Sequence, residues 1–157
     1  MSGGRRGLAA GILVAAVSML SVSAVACGTA ETDPWLAALR KERLATMVPP
    51  GGKLALDVET ESHAAFSKPV PASILRAFAY SNPDRATRGR DAAIKAAMSS
   101  GWRVNLERKY PSDPFFGSKQ LSPGGATLTI GRYKSGGVFK VSIQLEQGAC
   151  PRQLCGR

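Results

Sequence analysis

The sequence predicts an α+β domain, an antiparallel sheet of about five strands with two helices packed on one of its faces. Three observations carry that expectation. Apolar residues recur at helical spacing in two segments bounded by proline and glycine, and at a spacing of two in the segments between them. The clearest pair of alternating runs is joined by four residues that include two glycines, as a hairpin requires. With 157 residues, 44% of them apolar, the chain can bury one core but not two of ordinary size.

The first helix is "DPWLAALRKERLATM", with Asp33 as N-cap and Pro34 at the first helical position. Trp35, Leu36, Leu39, Leu44 and Met47 supply its apolar stripe, and it stops before Pro49-Pro50-Gly51-Gly52. In "KLALDVET" the period becomes two, with Leu54, Leu56, Val58 and Thr60 on one face and Ala55, Asp57 and Glu59 on the other, which reads as the solvent face. "PASILRAFAY" gives a second strand with Ile74, Phe78 and Tyr80 on one face, interrupted by Arg76. Asn82-Pro83-Asp84 reads as a turn, and the second helix runs over Arg88 to Ser100 with Gly101 as its C-terminal stop. In "WRVNLE" Trp102, Val104 and Leu106 alternate with polar residues. The Pro-, Ser- and Gly-rich stretch from Tyr110 to Gly125 reads as a long loop with a short strand near Ser118 to Leu121. Its aromatics Tyr110, Phe115 and Phe116 suit either an exposed contact patch or a cap on the core. Last comes the hairpin, "ATLTIGRY" and "VFKVSIQLE" around Lys134-Ser135-Gly136-Gly137. One apolar and one polar face per strand imply a sheet covered on one side.

The first 26 residues carry a different message. Arg5 and Arg6 precede an uncharged run from Leu8 to Ala26 that closes on small residues at Ala24 and Ala26, the layout of a signal peptide. The run is also long enough for a retained membrane helix, although Ser18, Ser21 and Ser23 weaken that reading. "SAVAC", Ser23 to Cys27, resembles the lipobox of bacterial lipoproteins, which implies a lipid on the Cys27 sulfur and Cys27 as the first mature residue. Ala24-Val25-Ala26 is equally an A-x-A site, at which cleavage would release a secreted protein, and the lipobox more often has Leu where Ala24 stands. Cysteine arithmetic favours the lipid: in an oxidising compartment Cys150 and Cys155 can pair as a disulfide that clips the last strand, leaving Cys27 over. The twin arginines resemble a twin-arginine export signal only in that pair, so ordinary secretion is the expected route. The chain therefore divides into a signal peptide (1–26), a lipidated tether (27–32) and a single domain (33–157). At 3.3–3.6 Å per residue the tether reaches about 20 Å.

The order "DPWLAAL", "PPGG", two strands, "AAIKAAMSSGW" and "GGATLTIGRY" resembles small uncharacterised lipoproteins of actinobacteria. The resemblance implies a place on the outer face of the cell membrane. Its motifs are helix starts and turns, so it transfers no catalytic residue.

The chain carries 21 basic and 11 acidic residues, and from Cys27 onward it keeps all but Arg5 and Arg6, a net charge of +8. Export makes nucleic acid an unsuitable partner; an anionic lipid surface or an acidic wall polymer fits the charge. Arg40, Lys41, Arg43, Arg85, Arg88 and Arg90, on the two helices and the segments beside them, are the residues expected to face it. No cofactor or metal is expected: one histidine and two mutually paired cysteines cannot make a zinc site. Asp57, Glu59 and Glu61 lack the glycine-containing loop that holds calcium. The remaining enzymatic reading is a hydrolase with His63 as base and Ser62 or Ser67 as nucleophile. A non-enzymatic binding or assembly role is the expectation preferred over it.

Overall fold

The computed structural model describes residues 33–64 and 68–148. The segment 1–32, with Cys27, the residues 65–67, with Ser67, and the segment 149–157, with Cys150 and Cys155, lie outside the described residues.

Helix α1 (Pro34–Arg40) begins where the Asp33 carboxylate accepts the Trp35 N–H at 2.8 Å. The single-turn helix α2 (Arg43–Thr46) follows after Lys41 and Glu42. The sequence predicted one helix through Met47; the chain breaks instead at Glu42, whose side chain turns inward and is buried. Strand β1 (Lys53–Thr60) leads to a two-stranded ribbon, β2 (His63–Ala64) with β3 (Pro69–Val70), and then to β4 (Ser73–Tyr80). Helix α3 (Pro83–Ser99) starts five residues before its predicted boundary, because Asn82 is its N-cap, accepting the Arg85 N–H at 2.9 Å, and Pro83 occupies the first position. It ends as expected at Gly101, whose φ of +85° lets Gly101 and Trp102 donate back to Met98 and Ala97 in a Schellman arrangement.

The rest is sheet. β5 (Arg103–Asn105) is shorter than predicted and leaves Leu106 exposed, whereas β6 (Phe115–Leu121) and β7 (Gly124–Ser135) take over most of the predicted loop. β8 (Val138–Gln147) completes the hairpin around Gly136 and Gly137, with Ser135 paired to Val138. The six strands stand in the order β1-β4-β8-β7-β6-β5, every neighbouring pair antiparallel. The mixed α+β class is as predicted; the sheet has six strands rather than about five, a small ribbon is added, and the helices number three among the described residues.

All three helices cover the same face. Leu36 and Leu39 of α1, Leu44 of α2 and Ala86, Ala93, Ile94 and Ala97 of α3 join Ile74, Phe78, Leu128, Ile130, Val141, Ile143 and Leu145 in one core. Each fully buried Leu, Ile or Phe contributes about 1.5–3 kcal/mol. Phe115 caps this core, while Phe116, one residue on, is 59% exposed.

One strand reverses its predicted faces. β1 carries a bulge between Leu54 and Leu56, after which Leu56 lies beside Ala77 and Val58 beside Leu75 on the helix-free face. Asp57 and Glu59 move to the helix-bearing side, where Asp57 approaches Arg76 at 3.3 Å and Glu59 meets Arg40. Arg76, which breaks the apolar pattern of β4, is buried on the core face because its guanidinium donates to the Ala45 and Met47 carbonyls at 3.1 Å each. Those are carbonyls at the end of α2, the groups a helix end leaves without partners.

Candidate functional site

The register places side chains that the linear sequence separates. On the helix-free face Lys53 of β1, Ala79 of β4, Lys140 of β8 and Tyr133 of β7 form one row across four strands. At about 4.8 Å per strand, Lys53 and Lys140 stand roughly 10 Å apart at their backbones. On the other face of the same end, Lys134 lies over the Phe139 ring at 5.3 Å, and Arg132 hydrogen-bonds the Thr87 hydroxyl of α3. Arg85 and Arg88, both exposed, flank Thr87 on the first turns of that helix. The segments that build this end, 51–53, 80–88 and 132–140, hold six basic residues and one acid, Asp84.

The opposite end carries charges of both signs, with Arg40, Lys68 and Lys119 among several acids. Asp33 accepts the Ser62 N–H at 2.5 Å, so the chain enters the domain beside the last residues of β1, near Glu59 and Glu61. Partial burial pushes the Asp33 carboxyl up, but hydrogen bonds from Ser62 and from the first N–H groups of α1 outweigh it and hold the carboxyl below its usual 3.8. Glu146, paired with Ser73 and Thr127, adds a further carboxylate to this end.

The six cations expected to share one surface are divided by the structure. Arg85 and Arg88 belong to the basic end. Arg40, Lys41 and Arg43 are exposed at the junction of α1 and α2, with Arg40 committed to Glu59. Arg90 is buried, bonded to Asp91 and 5.3 Å from the Phe115 ring centroid, so it is a packing residue rather than a surface contact. Lys53, Arg132, Lys134 and Lys140 were missed because only strand register brings them together; in the sequence Lys134 reads as part of the hairpin loop.

His63 lines a cleft of about 650 Å³ with Trp35, Ser62, Pro71 and Gln147. Its Nδ1 lies 3.0 Å from the Glu61 carbonyl, not from a carboxylate. Ser62 is turned to Asp33, while Asp57 and Glu59 face arginines. Among the described residues no cluster of three His, Cys, Asp or Glu could hold a metal, and no helix is long and apolar enough to cross a membrane. A second cleft, of about 400 Å³, lies on the helix-free face between Arg103, Asn105, Phe116, Ser118 and Thr127. No protein-family model, no curated protein and no solved structure matches this chain.

Proposed function

We propose that the chain is an exported domain tethered to the outer face of the cell membrane through a lipid on Cys27, and that it works by binding an anionic partner rather than by catalysis. The observation that carries the reading is where the domain starts. Asp33, six residues after the cysteine of "SAVAC", is fixed at once by its hydrogen bonds to Trp35 and Ser62. A lipidated Cys27 would thus hold a domain of high positive charge within about 20 Å of the bilayer. One acyl chain alone binds a membrane weakly, so a stable anchor implies more than one lipid chain or a second contact.

The test is intact mass and cell fractionation in a lipoprotein-processing bacterium. The expected result is a membrane-bound chain beginning at Cys27 with a lipid-sized mass increment, and release of the Cys27→Ala chain to the soluble fraction. An unmodified wild-type chain in the medium would remove the anchor from the reading and make this a secreted protein.

A further inference from the structure

The two ends of the sheet differ in charge, and the tether is attached to only one of them. Asp33 enters beside the end of β1, and the Trp35 ring packs so closely on Gly124 that a Cβ there would fall 2.7 Å from it. Entry is thereby fixed at the end where β1 and β8 finish and β4 and β7 begin, among Asp33, Glu59, Glu61 and Glu146. That end also holds Arg40, Lys68 and Lys119, whereas the other end, with six basic residues to one acid, is the strongly positive one. β8 alone spans 10 residues between the two, and at about 3.3 Å per residue that is roughly 30 Å.

From this polarity we infer that the basic end, built on Lys53, Arg85, Arg88, Lys134 and Lys140, is the binding surface, and that its ligand is a flexible phosphate-bearing polyanion lying outward of the membrane, not the lipid headgroups. The inference rests on the tethered reading above for the direction "outward". None of the five residues forms an ion pair among the described residues, whereas Arg40 and Lys119 are each committed to a glutamate. Arg85 and Arg88 offer planar forks that match phosphate oxygens bidentately, and the three lysines add hydrated point charges with rotatable donors on flexible stems. Tyr133, 43% exposed and beside Lys140, adds an amphipathic ring at the same row. A lipid surface would instead be met from the tethered end, where Asp33, Glu59, Glu61 and Glu146 offset Arg40, Lys68 and Lys119 and leave no excess of positive charge to hold it.

Two triple variants of equal charge change separate these alternatives, both made in the full chain carrying Cys27→Ala so that no lipid contributes. One is Lys53→Gln/Lys134→Gln/Lys140→Gln; the other is Arg40→Gln/Lys41→Gln/Arg43→Gln. The probes are long-chain polyphosphate and vesicles of phosphatidylcholine containing phosphatidylglycerol, each titrated at several salt concentrations, with thermal unfolding confirming that each variant is folded. The first triple is expected to weaken polyphosphate binding at least about tenfold and to flatten its salt dependence, while the second changes it less than about twofold. Equal losses in both triples would reduce the effect to net charge and overturn the site, as would no polyphosphate binding at all. Vesicle binding that the second triple abolishes and the first leaves intact would give the membrane the ligand's place. Because these chains carry no anchor, failure here leaves the fractionation result standing, and release of the wild-type chain to the medium leaves the basic end standing.

Discussion

Gly89→Ala should destabilise the domain by about 2–3 kcal/mol, although alanine for glycine inside a helix normally stabilises by up to about 1 kcal/mol. The reason is a close approach between α3 and the sheet. A Cβ on Gly89 would fall 2.1 Å from the Tyr80 hydroxyl oxygen and 2.5 Å from the ring carbon that bears it, and Tyr80 is itself only 4% exposed. Gly52 is also close to this hydroxyl: a Cβ there would lie 2.8 Å from the same oxygen. Because Tyr80 is packed in the core, either its ring must leave its place or α3 must move off the sheet, and both disturb the core. Thermal unfolding is the measurement, with a fall of roughly 10–15 °C expected for a domain of this size. Tyr80→Leu should recover part of the loss in the double variant, and a Gly89→Ala chain as stable as wild type would refute the packing.

The hydroxyl that fixes this contact has no hydrogen-bond partner among the described residues. Tyr80→Phe should accordingly cost little or even stabilise, because an unpaired buried polar group is removed. Burial also raises the Tyr80 pKa above its ordinary 10.0. Its proton leaves the unfolded chain first as pH rises. The stability associated with the neutral phenol is thus complete below pH 10 and is lost as pH climbs toward the folded value. Denaturant titrations between neutral and strongly alkaline pH should show a loss that is smaller in the Phe variant.

What the sequence made legible follows from local rules. The α+β class, the Gly101 stop and the closing hairpin rest on periodicity and glycine chemistry confined to a few neighbouring residues, and these the structure retains. Asn82-Pro83 misled because a turn and a helix start use the same residue types, and only the following turns of α3 decide between them. The bulge in β1 left no mark in "KLALDVET", yet it exchanged the faces of Leu56 and Asp57. The basic end was illegible for a third reason. Lys53 and Lys140 are 87 positions apart in sequence and become neighbours of one alanine only through the β1–β4–β8 register.

The break between α1 and α2 has the same long-range origin, and it yields the second large effect. Glu42 accepts from Trp102 Nε1 at 2.9 Å and from Lys119 Nζ at 2.8 Å, and Lys119 also donates to the Ser100 carbonyl at 2.8 Å. One carboxylate thereby ties the α1–α2 junction to the end of α3 and to β6. Glu42 keeps only 10% of its side chain exposed and Lys119 24%, so removing the carboxylate strands an ammonium and an indole N–H in largely dry surroundings. Glu42→Ala should cost about 3 kcal/mol, near the lower end for breaking a buried pair because Lys119 retains some access to water. Glu42→Gln should cost less, since an amide oxygen can still accept from the indole. Replacing both charges, as in Glu42→Leu/Lys119→Met, should restore much of the loss, as buried ion pairs exchanged for apolar residues of similar size often do. Added salt should barely alter the wild-type contribution, in contrast to the exposed Arg40–Glu59 pair. If Glu42→Ala lost less than about 1 kcal/mol, the cluster would be a surface ion pair in its energetics, and the inward turn of Glu42 would not account for the break in the helix.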